Sequence, residues 1–133
     1  MAAKRILVVE DCLPLRAALA DLLTSVGYRV AAVSEGEEAL VRMDVFQPNL
    51  VVMDVEIPDV DGCEVCRQMK TNAESCAVPV MLVSGDSRAA LRAAAAGADD
   101  FIVRPLCVDR LLSRVATLIG RDSQFFPVLQ QAS

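Results

Sequence analysis

Apolar residues fall along this chain in two alternating patterns: short unbroken runs, and stretches in which they recur every three or four positions. The run Leu50-Val51-Val52-Met53 ends on a single carboxylate, Asp54, and leads into Val55-Glu56-Ile57-Pro58-Asp59-Val60-Asp61-Gly62. An apolar run of this kind, closed by turn residues, predicts a strand buried on both faces of a parallel sheet. Comparable runs predict strands over 5–10, 28–33, 79–83 and 101–103. The spaced stretches between them predict helices over 14–26, 37–43, 62–70, 87–96 and 108–119. Pro14 suits the first turn of the first helix, whose apolar face uses Leu15, Leu19, Leu22, Leu23 and Val26 before Gly27 stops it. Asp61 is placed to cap the third helix. The fourth is nearly all alanine, and the last buries Leu111, Leu112, Val115 and Leu118.

Five strand–helix units in succession predict one α/β domain, a doubly wound parallel sheet with helices on both faces. The flavodoxin-like strand order 2-1-3-4-5 is one of two common solutions, and the pattern alone leaves both open. A hydrophobic fraction of 54% is high, yet sheets covered on both sides produce it without a membrane. No run approaches the roughly 20 apolar residues of a spanning helix. The only early apolar run, residues 6–9, is too short for a signal peptide, which makes the cytoplasm the expected location.

A net charge of −5 argues against direct binding to nucleic acid, which favours a basic face. The five cysteines, Cys12, Cys63, Cys66, Cys76 and Cys107, form an odd set expected to stay reduced. Cys63 and Cys66 spell a C-x-x-C, but no second such pair and no histidine exist to complete a zinc site. Two small apolar side chains on a helix face is the preferred reading. The absence of histidine also excludes hydrolytic triads built on it.

Asp54 alone could be no more than a turn cap. The residues just past the other strands change the picture: Glu10 and Asp11 after the first, Ser84 after the fourth, Arg104 after the fifth. In a flavodoxin-like sheet these ends are neighbours, so the groups converge on one crevice. Three carboxylates together raise one another's pKa unless a cation sits among them, and hard oxygen ligands suit Mg²⁺ or Mn²⁺. The hydroxyl and guanidinium opposite are donors for an anion. The set describes a carboxylate nucleophile with the means to hold a phosphoryl group.

The segments Ile6-Leu7-Val8-Val9-Glu10-Asp11, Val51-Val52-Met53-Asp54 through Pro58 and Gly62, Leu82-Val83-Ser84-Gly85, and Gly97-Ala98-Asp99-Asp100-Phe101 through Pro105 resemble the receiver domain of two-component response regulators over about residues 4–120. That resemblance implies the 2-1-3-4-5 order and phosphorylation of Asp54 by a phosphohistidine of a sensor kinase or phosphotransfer protein. It implies Mg²⁺ bound by Glu10, Asp11, Asp54 and the backbone carbonyl of Glu56. Ser84 fills the family's hydroxyl switch position, Phe101 its aromatic one, and the Arg104–Pro105 peptide bond would be cis. In the transcription-factor branch, charges at positions such as Asp100 and Arg114 bridge two receivers, which implies a weak phosphorylation-dependent homodimer. A downstream target or a fused output domain would read the switch, and residues 121–133 would be a tail or linker.

Two departures stand out. The family has lysine where this chain has Arg104, and acidic residues occupy both variable positions flanking the phosphoryl group, Glu56 and Asp86. The alternative reading is a degenerate receiver that binds partners without phosphorylation. A Mg²⁺-dependent phosphatase with an aspartyl nucleophile fits less well, since such enzymes want an Asp-x-Asp and position 56 is Glu.

Overall fold

The computed structural model describes residues 2–120, so the expected tail, 121–133, lies outside the described residues. Five strands, β1 (Arg5–Val9), β2 (Arg29–Val33), β3 (Leu50–Asp54), β4 (Val80–Ser84) and β5 (Asp100–Val103), form one parallel sheet in the order β2-β1-β3-β4-β5. The helices are α1 (Leu13–Ser25), α2 (Gly36–Phe46), α3 (Gly62–Thr71), α4 (Ala90–Ala95) and α5 (Val108–Gly120). This is the flavodoxin-like alternation that the hydrophobic pattern predicts. No helix among the described residues is long and apolar enough to cross a membrane.

The period of two along each strand divides the core into two layers. Leu7, Val9, Val51, Met53, Val80 and Leu82 face α2, α3 and α4, while Ile6, Val8, Leu50, Val52, Met81 and Val83 face α1 and α5. β3 and β4, flanked by partners on both sides, are buried along their whole length. Burying a side chain such as Leu50 or Met81 contributes about 1.5–3 kcal/mol, so these strands are the rigid frame on which the loops stand. Cys63 and Cys66 are buried in the α3 face of that core as small apolar groups, and burial pushes the Cys66 thiol up to about 11.

Several boundaries differ from the predicted ones for identifiable reasons. Val26 is 50% exposed and does not join the apolar face of α1, because the helix ends at Ser25 and Gly27 takes φ +104°. Leu112 is only partly covered. The fourth helical stretch opens with a 3₁₀ turn, Ser87–Ala89, and only then becomes α-helical. α2 is longer than its apolar spacing suggests: Asp59 accepts from the Gly36 and Glu37 N–H groups (2.9 and 3.0 Å) and so caps it from the β3–α3 loop. Gln47, with φ +50°, closes the other end. Asp61 caps α3 as expected, accepting from Cys63 N–H at 2.7 Å.

Gly62 ties this frame to the site. A Cβ there would collide with the Asp54 carbonyl oxygen and come within 2.8 Å of Val55 Cα. Both are backbone atoms at the end of a buried strand and cannot yield cheaply. Gly62→Ala should therefore cost about 1–3 kcal/mol, as overpacking does. Urea unfolding checks this, and an unchanged midpoint would show that the loop can give way.

Candidate functional site

Three strands deliver acidic or anion-binding groups to one end of the sheet because each changes from apolar to polar at the same level. β1 runs out into Glu10 and Asp11, β3 ends on Asp54, and β4 ends on Ser84. Carboxylate oxygens of Glu10, Asp11 and Asp54 lie within 4.8 Å of one another. Glu10 and Asp54 are buried and Asp11 is exposed. Arg16, one turn into α1, fixes the acidic loop by donating to the carbonyls of Glu10 (2.9 Å) and Asp11 (3.2 Å). The sequence pattern shows Arg16 only as a polar position on an amphipathic helix.

Burial is the largest influence on Glu10, followed by a hydrogen bond shared with the Asp54 carboxyl, and together they push its pKa up to about 7. The Cys12 N–H, which donates to Glu10 Oε2 at 3.1 Å, and the Arg104 guanidinium act the other way without cancelling the rise. Such a set suits a small hard cation: all donors are carboxylate oxygens, and negative charge outweighs the single guanidinium among them.

Arg104 leaves the end of β5 and reaches into this cluster. Its Nη1 donates to Asp54 Oδ2 at 2.9 Å and lies 3.7 Å from Glu10 Oε1, while Nη2 lies 3.6 Å from Glu56 Oε1. The guanidinium therefore spans three carboxylates and does not grip Asp54 with both prongs. The other Asp54 oxygen, Oδ1, accepts from Glu56 N–H at 3.0 Å. The Arg104–Pro105 peptide bond is cis, as the resemblance implies.

The two acidic residues at the variable positions behave differently. Asp86 turns away: it caps the 3₁₀ turn through Arg88 N–H (2.9 Å) and pairs with the Arg88 side chain, which holds its carboxyl below the usual carboxylate range. Glu56 turns in, accepting from the buried Ser84 hydroxyl at 2.9 and 3.1 Å and from Gly85 N–H at 3.3 Å. Phe101 is half-buried against the α2–α4 layer. Asp100 and Arg114, the charges expected to bridge two copies, meet each other within the chain at 3.3 Å.

A family model described as the response regulator receiver domain matches residues 6–116. Probable transcriptional regulator ycf27 of Cyanophora paradoxa is 35% identical over 98% of this chain and 53% of its own length. Response regulator MprA of Mycobacterium sp. (strain KMS) is 36% identical over 90% of this chain and 52% of its own. The chain thus spans about half the length of these curated relatives. Among solved structures, the receiver domain of a signal transduction histidine kinase from Syntrophus aciditrophicus superimposes with a TM-score of 0.86 at 33% identity, covering 92% of this chain and 94% of that one. The family model over most of the chain, the curated relative and the likeness to a solved receiver domain have one explanation: the chain belongs to the response regulator receiver domain family.

Proposed function

We propose that this chain is a phosphoryl-accepting signalling switch, not a turnover enzyme, with Asp54 as the acceptor. The observation that carries the reading is the placement of Asp54: it closes a fully buried strand within 4.8 Å of two further carboxylates and across from a guanidinium and a hydroxyl. In the forward step an Asp54 carboxylate oxygen attacks the phosphorus of a phosphohistidine on a sensor kinase or phosphotransfer protein. The O–P bond forms as the N–P bond breaks, and the imidazole leaves with that electron pair. Arg104 supplies positive charge to the phosphoryl oxygens, and Ser84 supplies a hydroxyl donor. The Glu56 N–H, already on Asp54 Oδ1, keeps the carboxylate oriented.

Glu10, Asp11 and Asp54, with the backbone carbonyl of Glu56, would hold Mg²⁺ or Mn²⁺. When bound, such an ion neutralises the charge that gathers as an anion approaches three carboxylates. Residues 4–120 act as the receiver unit and 121–133 as a tail or linker, with the cytoplasm as the working compartment. A separate target or a fused output domain reads a change in the surface formed by α4, β5 and α5, where Phe101 and the Asp100–Arg114 pair lie. Exposed ion pairs contribute only about 0–1 kcal/mol each, so any homodimer through that face is weak.

Acetyl phosphate with Mg²⁺ tests the reading. Intact mass should show one acylphosphate on the wild type and none on Asp54→Asn. Label retained by Asp54→Asn would place the acceptor elsewhere, and continuous hydrolysis of the donor would make the chain a phosphatase.

A further inference from the structure

We infer that the Glu56 carboxylate is the resident anion of the phosphoryl site: in the unphosphorylated chain it holds the donors that a phosphoryl group on Asp54 needs, and it must be expelled before the switch can turn. The inference rests on the reading of Asp54 as acceptor.

The hydrogen bonds around Ser84 have a direction. Its oxygen accepts from Asp86 N–H at 2.9 Å, and its single proton then points to Glu56, shared between Oε2 (2.9 Å) and Oε1 (3.1 Å). Ser84 is fully buried, so water does not compete for that proton. The same carboxylate takes Gly85 N–H at 3.3 Å and faces Arg104 Nη2 at 3.6 Å. One O–H, one N–H and one guanidinium converging on paired oxygens form an anion-binding set, and the chain's own carboxylate already fills it. A neutral residue at position 56 would leave the hydroxyl available at no electrostatic cost.

The occupant is built to be displaced. Half of the Glu56 side chain is exposed, so an ejected carboxylate passes into water and recovers its solvation. Ser84 has no such outlet and must take whichever anion is present. Asp86, the other acidic residue near the site, cannot substitute, because Arg88 holds it outward. Glu56 is thus a positioning residue that acts through Ser84.

Beryllofluoride with saturating Mg²⁺, followed by calorimetry, tests this on wild type, Glu56→Ala, Ser84→Ala and the double variant. A hydrogen bond to a charged group stabilises enough that its loss should tighten beryllofluoride binding about tenfold in Glu56→Ala. The gain should shrink to about twofold in the Ser84→Ala background, because the latch acts through that hydroxyl. An equal gain in both backgrounds would mean simple charge repulsion and overturn the inference, as would no gain at all. A second measurement needs no phosphoryl mimic. In amide NMR spectra of the free protein, Glu56→Ala should shift the Gly85 and Asp86 signals, and unmoved signals would overturn the latch. If the amides shift but no variant takes beryllofluoride, the latch stands and the reading of Asp54 as acceptor fails.

Discussion

Arg104→Lys should accept a phosphoryl group from acetyl phosphate about tenfold faster than the wild type. The proposed nucleophile is already engaged: Asp54 Oδ2 accepts from Arg104 Nη1 at 2.9 Å while Oδ1 accepts from Glu56 N–H at 3.0 Å. A charge-assisted hydrogen bond of this kind holds about 1.5–3 kcal/mol, and part of that must be surrendered before the carboxylate can attack. The guanidinium is also difficult to move, since its planar fork reaches Glu10 and Glu56 at 3.7 and 3.6 Å as well. Lysine carries the same charge on a flexible stem as a single point. It can leave the carboxylate and follow the phosphoryl oxygens without breaking a three-way contact. Rates read by intact mass at fixed Mg²⁺ decide the matter. A wild type that takes no label beside a lysine variant that does would mark a degenerate receiver that binds partners without phosphorylation. A wild type faster than the variant would show that the fork assists the transfer.

The fold was legible because its signal is in single residue types. Apolar runs such as 50–53 can be satisfied only by burial on two faces, and they appear as β3 and β4 with no exposed position. The carboxylates were legible as a set because each lies within two residues of the end of such a run, so sheet order alone brings Glu10, Asp11 and Asp54 together. Strand order itself was not fixed by periodicity; it came from the resemblance. What the sequence left open is the direction of loop side chains. Glu56 and Asp86 look alike along the chain, each two residues past a strand end, yet one turns in to Ser84 and the other out to Arg88. Their partners lie 28 and 2 residues away, so only tertiary contact separates the two. Asp59 was invisible for the same reason, since the amides it caps belong to a helix 22 and 23 residues earlier.

Binding of Mg²⁺ should weaken sharply on acidification and collapse in Asp11→Asn. The Glu10 carboxyl is raised from its ordinary 4.5 to about 7, by burial first and then by the hydrogen bond shared with Asp54. In the metal-free chain the proton is therefore held more tightly folded than unfolded. The corresponding stabilisation is complete below about pH 4.5 and is lost as pH rises through about 7. A cation must displace that proton, so its affinity follows the opposite course. With one competing proton, affinity should fall roughly tenfold between about pH 8 and pH 6, and added Mg²⁺ should raise the melting temperature more at the higher pH. Asp11 is the exposed member of the cluster and retains its access to solvent, so exchanging it for Asn removes one unit of charge without opening the core. A unit charge pair at about 4 Å contributes about 1–4 kcal/mol across the range from water to protein surface, which for a divalent ion makes a loss of at least about tenfold the expected result. Calorimetry of both proteins at the two pH values separates the effects. Affinity independent of pH would mean that Glu10 is not a ligand, and undiminished binding by Asp11→Asn would move the ion away from this cluster.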